Sequence, residues 1–153
     1  MGACMLLFFS ALSYATPEQE LRQGMWALNG WALGNMLSST PSTLYTQDRY
    51  TQSFHQMNLT WNVVNAGLAS YSLLQNQPVE PQKMAKIFWI NAGLDVLYIA
   101  GGLILRSQGI KQQNEQWIGW GDSIMIQGSF LFVFDGIMGW RMQKLQKKFP
   151  FPN

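Results

Sequence analysis

The sequence predicts an all-α protein, an antiparallel four-helix transmembrane bundle behind an N-terminal signal peptide. Three observations predict it. Of the 153 residues only 12 % are charged, about half the share of a soluble domain. Those charges collect between long uncharged stretches and near the C-terminus. Polar and small residues also recur at helical spacing, whereas no segment alternates with period two and no Asn-Gly turn joins strand-like runs. The 48 % apolar fraction is ordinary and the mean hydropathy is near zero. A soluble extracytoplasmic bundle is therefore the competing architecture. Seven Trp favour the membrane, since indole rings gather at lipid–water interfaces.

Residues 1–15 read as the signal peptide. Met5 to Leu12 forms an apolar core, and Ser13-Tyr14-Ala15 offers small residues at the −3 and −1 positions of a cleavage site. A basic stretch before the core is missing. Cys4 precedes the apolar core rather than following it, which argues against a lipid-modified cysteine. Cleavage after Ala15 would leave no cysteine and exclude disulfides and thiol chemistry.

Residues 16–142 would form the membrane domain and 143–153 a basic tail. The first helix is expected from Leu21 to Leu37, ended by Ser38-Ser39-Thr40-Pro41. The second covers Phe54 to Leu74 and stops at Gln75-Asn76-Gln77-Pro78. The third covers Lys83 to Leu105, and the fourth Trp117 to Trp140. The last three are long enough to cross a hydrocarbon core of about 30 Å, which takes about 20 residues. The first is the shortest and the one most readily dropped as a crossing. A cleaved signal places the new N-terminus outside, and four crossings return the C-terminus there. The positive-inside rule instead prefers Arg141, Lys144, Lys147, Lys148, Lys83 and Lys86 in the cytoplasm. These two expectations conflict.

The second helix carries a seam of His55, Asn58, Asn62, Asn65, Ala69 and Ser72, spaced three and four apart and hence on one face. The third has Asn91, Asp95, Tyr98 and Gly102; the fourth has Gly121, Gly128 and Asp135. Polar and small residues would face one another and apolar ones would face outward, as in membrane helix packing. Gly30 and Gly34 form one GxxxG. Folding the helices at their loops places Asn65, Asp95 and Gln127 in one mid-bundle layer, with Asn29 near the same depth. Tyr98 falls level with Asn62. Asp135 falls level with Ile87, near Lys83 and Lys86 and too far from Asp95 for a paired acid–base couple.

Asp95 needs compensation, because a carboxylate at mid-membrane costs about 2.5–3.5 kcal/mol. It is protonated, or accepts hydrogen bonds from Asn65 and Gln127, or lines a wet cavity. The bland role is a hydrogen-bonded layer that fixes helix register; the functional one is a proton, cation or ligand site. His55 reads as an interfacial hydrogen-bond partner, and Asp122 as a carboxylate complementing a helix N-terminus. One histidine without a mature cysteine argues against a metal site. Ser123 and Ser129 have no histidine at their depth, which argues against nucleophilic catalysis. A net charge of +2 without a basic stripe argues against nucleic-acid binding.

The strings Gly30-Trp31-Ala32-Leu33-Gly34-Asn35, Phe54-His55-Gln56-Met57-Asn58 with Trp61-Asn62-Val63-Val64-Asn65, Asn91-Ala92-Gly93-Leu94-Asp95 and Gln127-Gly128-Ser129-Phe130-Leu131-Phe132-Val133-Phe134-Asp135 resemble an uncharacterised bacterial family. The likeness spans about Trp26 to Trp140. It implies a small signal-peptide-bearing protein with four hydrophobic helices, and it supplies no activity. Taken together, the expectation is a non-enzymatic bundle in the bacterial inner membrane that needs no cofactor. It would bind membrane lipid, a protein partner or a small hydrophobic ligand. The alternative is a small carrier or proton/ion pathway built on Asp95, with Asn58, Asn62, Asn65 and Tyr98 along the route.

Overall fold

A computed structural model describes residues 16–75 and 77–148. They form four helices, α1 (Pro17–Tyr45), α2 (Arg49–Leu74), α3 (Pro81–Lys111) and α4 (Glu115–Lys148), and no strand lies among the described residues. The expected signal peptide, including Cys4, lies outside them. Each helix outruns its uncharged stretch because local chemistry extends its ends. Thr16 caps α1: its hydroxyl accepts the Gln19 N–H, the Gln19 side chain accepts the Thr16 N–H, and Pro17 sets the first turn. Asp48 caps α2 by accepting the Thr51 N–H at 2.7 Å. Hydrogen bonds from the Thr51 side chain and N–H hold the Asp48 carboxyl below the usual carboxylate range.

The first helix does not stop before Pro41. Proline withholds an N–H from the preceding turn, and the hydroxyls of Ser38 and Thr40 turn back onto the Asn35 and Met36 carbonyls in that region. The helix passes through the exposed Pro41 to Tyr45. Residues 143–148, expected as a tail, continue α4. The α3–α4 connection is only Gln112 to Asn114. Gln113 takes a left-handed φ of 52°, and the Asn114 N–H bonds the Gly109 carbonyl at 2.8 Å.

The parallel helices α2 and α4 form the centre. Arg49 reaches Gln116 and Tyr50 reaches Asp122 at their N-terminal ends. Antiparallel α1 lies on α2 and touches α4; antiparallel α3 packs most extensively of all, against α4. Glycine allows that approach. A Cβ on Gly121 would stand 2.6 Å from the Arg106 backbone nitrogen and 2.7 Å from the Gly102 carbonyl. One on Gly119 would stand 2.5 Å from the Tyr50 carbonyl of α2. Gly30 and Gly34, expected to support close helix approach, have nothing within 4 Å.

The interior changes along the bundle axis. Toward the Pro17/Lys148 end it is apolar, with Met25, Leu28, Ala69, Ala85, Phe88, Leu131, Phe134, Met138 and Met142. The middle is polar, and glycine contacts dominate toward the Tyr45/Glu115 end. Among the described residues no Ile, Val, Trp or Tyr is buried, whereas Leu68, Tyr71, Ile90, Leu97, Ile104 and Phe132 are exposed. Polar and small side chains thus hold the middle, with large apolar ones outside.

Formal charges are confined to the two ends, apart from Asp95 and Asp135. On α3 the stretch Ile87–Leu105 carries only Asp95 and spans about 28 Å at 1.5 Å per residue. Ser123–Trp140 on α4 carries only Asp135. These two helices are long and apolar enough to cross a membrane. The second helix, expected to qualify, does not, and neither does α1. Both are long enough, but their Asn, Gln, Ser and Thr lower the hydropathy.

Candidate functional site

The polar side chains gather in two adjacent groups. The first joins α1, α2 and α4. Gln127 on α4 is fully buried; its amide nitrogen donates to Asn58 Oδ1, and its oxygen accepts the Trp31 indole N–H at 3.1 Å. Asn58 Nδ2 donates to Ser39 Oγ at 2.6 Å and to Asn35 Oδ1 at 3.1 Å. His55 Nδ1 meets the same Ser39 hydroxyl at 3.1 Å. Asn62 Nδ2 donates to the Asn58 carbonyl at 2.7 Å. The chain Trp31–Gln127–Asn58–Ser39–His55 therefore ties three helices through side chains alone. Such a network fixes register, because a shift of one helix would strand several buried polar groups together.

The second group is a pair of carboxyls. Asp95 on α3 is 3 % exposed and Asp135 on α4 is 6 % exposed. The two are neighbours, close enough for each to affect the other's charge, and Asp95 Oδ2 has no hydrogen-bond partner among the described residues. An ionised carboxylate only accepts, so a hydrogen bond between them would need a proton on one partner. Burial and a neighbouring like charge both disfavour ionising the two together. The pair places a titratable contact at the α3–α4 interface. Among the described residues no three His, Cys, Asp or Glu side chains converge on a point.

This arrangement corrects the expected layer. Gln127 serves Asn58 and Trp31, Asp95 turns to Asp135, and Asn29 donates to Ser70 at 3.2 Å. The expectation that Asp135 lies near Lys83 and Lys86, too far from Asp95, fails. Folding at the midpoint between Leu105 and Trp117 sets the α3–α4 register about one turn wrong. The helices instead extend to Lys111 and Glu115, so the fold point shifts to Gln113. Gly128 then abuts Asp95 and Ile99, and Gly139 abuts Trp89. One turn, about 5.4 Å, is the difference between separated and paired carboxyls. The expected level of Tyr98 with Asn62 holds to one residue, since Tyr98 packs edge-on against Trp61 at 4.9 Å. Tyr98 itself is 40 % exposed and lines the outside of α3 rather than an internal route.

Of the remaining seam residues, Asn62 and Asn65 are buried, and Asn91 is partly so. Asp122 does more than complement a helix terminus: it pairs with Arg106 at 2.7 Å and accepts the Tyr50 hydroxyl. Ser129 is exposed and bonds its own helix, while Ser123 is buried. The sequence reading missed the buried ion pair between Glu20 Oε1 and Arg141 Nε at 2.5 Å. Its signal was a Glu near the start of α1 and an Arg near the end of α4, visible only once those antiparallel ends are superposed.

Fold and site together define an all-helical protein whose helices are joined by a buried polar layer and a carboxyl pair. The chain belongs to the family of unknown function DUF6992, whose profile matches residues 27–136. That range contains every residue of the polar network and both carboxyls. No curated protein and no solved structure matches the chain.

Proposed function

We propose that this protein is a non-enzymatic integral membrane bundle that works by binding lipid, a protein partner or a small hydrophobic ligand through its lipid-facing surface. The observation carrying this reading is the radial order of its middle zone. Asn58, Asn62, Asn65, Gln127 and both aspartates are buried there, while Leu68, Leu97, Ile104 and Phe132 face out. In water that order would leave large apolar area exposed with no offsetting gain. In lipid it turns hydrogen-bonding groups toward one another and places methyl groups in hydrocarbon. The bands of α3 and α4, matched to the hydrocarbon thickness and carrying only the buried Asp95 and Asp135, support the same reading. Neighbouring α1 and α2 are uncharged over residues 23–47 and 50–79, so all four helices share the band.

The test is extraction of cell membranes with alkaline carbonate and, separately, with detergent. Retention in the carbonate pellet and release by detergent are expected; release by carbonate would return the protein to the soluble alternative.

The carboxyl pair favours a second reading, a proton or cation pathway. Proton flux in vesicles carrying the purified protein, abolished by Asp95→Asn with the helical circular dichroism unchanged, would replace binding with transport. Absence of flux in the wild type would remove it.

A further inference from the structure

The ends of the bundle are not equivalent. The Tyr45/Glu115 end carries Arg49, Arg106 and Lys111 against Asp48, Glu115 and Asp122, a balance of three and three, and Arg106 is paired with Asp122. The opposite end carries Arg22, Lys83, Lys86, Arg141, Lys144, Lys147 and Lys148 against Glu18, Glu20 and Glu80. Glu20 is used internally by Arg141. Glu18 accepts the Val79 N–H, which holds its carboxyl below the usual range. Lys83, Lys86, Lys144, Lys147 and Lys148 are all exposed. They come from the first turns of α3 and the last turns of α4, which antiparallel packing brings to one end. The Lys144 ammonium lies 3.6 Å from the centre of the Trp140 ring, and half-exposed Trp89 and Trp140 flank the same zone. Lysine beside tryptophan at the edge of an apolar band is the chemistry of a lipid headgroup layer.

We infer that this lysine end is a binding surface for anionic phospholipid headgroups. The inference rests on the membrane reading above and adds a lipid class and a direction. Each surface lysine near an anionic leaflet contributes about fivefold to association, from roughly 1 kcal/mol per residue. Where anionic lipid is concentrated in the cytoplasmic leaflet, the Pro17 and Lys148 ends face the cytoplasm. The expected cleavage after Ala15 on the far side conflicts with that orientation, and the charge distribution weighs against it.

The test uses the full chain in vesicles of phosphatidylcholine mixed with phosphatidylglycerol, one lipid at a time carrying brominated chains that quench tryptophan. The wild type is expected to favour phosphatidylglycerol several-fold, with the preference shrinking at high salt. Replacing the five lysines by Gln should bring the preference close to one, while Arg49→Gln/Lys111→Gln at the other end should leave it unchanged. Equal quenching by both lipids in the wild type, or a preference unmoved by the five-lysine variant, would overturn the inference. Flotation with phosphatidylcholine vesicles alone keeps the two readings separable. Failure to float there overturns embedding, and the quenching ratio alone decides the headgroup surface.

Discussion

Substituting Gly121 and Gly136, both on α4, with alanine should move stability in opposite directions. A Cβ on Gly121 would meet the Arg106 backbone nitrogen at 2.6 Å and the Gly102 carbonyl at 2.7 Å. Both are backbone atoms and cannot rotate away, so α3 and α4 must separate locally. Overpacking of this kind costs about 1–3 kcal/mol. Alanine's better helix propensity offsets about 1 kcal/mol of that. A net loss of up to about 2 kcal/mol follows, or up to about 8 °C in Tm for a chain of this size. Gly136 has nothing within 4 Å of its ideal Cβ, so only the propensity gain of about 0.5–1 kcal/mol remains. Thermal unfolding in one detergent, followed by circular dichroism, reads both. Gly121→Ala at or above the wild-type Tm would refute the close α3–α4 crossing.

Other perturbations follow from the same geometry. Arg141→Gln leaves the buried Glu20 without its guanidinium and should cost about 3–5 kcal/mol. The double substitution with Glu20→Gln should recover much of that, and additive losses in a double-mutant cycle would argue against direct coupling. Because burial disfavours charging two neighbouring carboxyls together, Asp95 and Asp135 should give a protonated-carboxyl infrared band that disappears in Asp95→Asn/Asp135→Asn; a wild type without the band would show both groups ionised. Glu18 has a depressed carboxyl pKa from its bond to the Val79 N–H. Its contribution is complete above its ordinary value of 4.5 and is lost as pH falls below that. Glu18→Gln should flatten this acid limb of the stability curve, and an unchanged limb would assign it to other groups.

Much of this architecture was legible in the residues. Spacings of three and four along Asn58, Asn62 and Asn65 marked a buried face, and the structure buries all three. Four helices separated by polar loops also followed directly. What could not be read was axial register. The α3–α4 turn is set by a left-handed Gln113 and by Asn114 bonding back to Gly109. No Gly or Pro marked that turn, so the fold point was placed too early and Asp135 was separated from Asp95. Pro41 misled in the opposite sense, because a proline at an exposed position with hydroxyl side chains beside it can remain within a helix. The Trp31–Gln127 bond was hidden for a different reason: it depends on the crossing of α1 with α4, which no local pattern encodes.

The central claim is that the polar face of each helix is turned inward and the apolar face toward lipid. Single cysteines at Leu97 and Phe132 on the outside, and at Lys111 and Lys148 on the ends, test it directly once Cys4 is replaced by Ser. In intact membranes a water-soluble maleimide should label the two end positions and spare the two outer ones, which should become reactive only after the membrane is dissolved and the chain unfolded. Labelling of Leu97→Cys and Phe132→Cys in intact membranes as fast as at Lys111→Cys would contradict it.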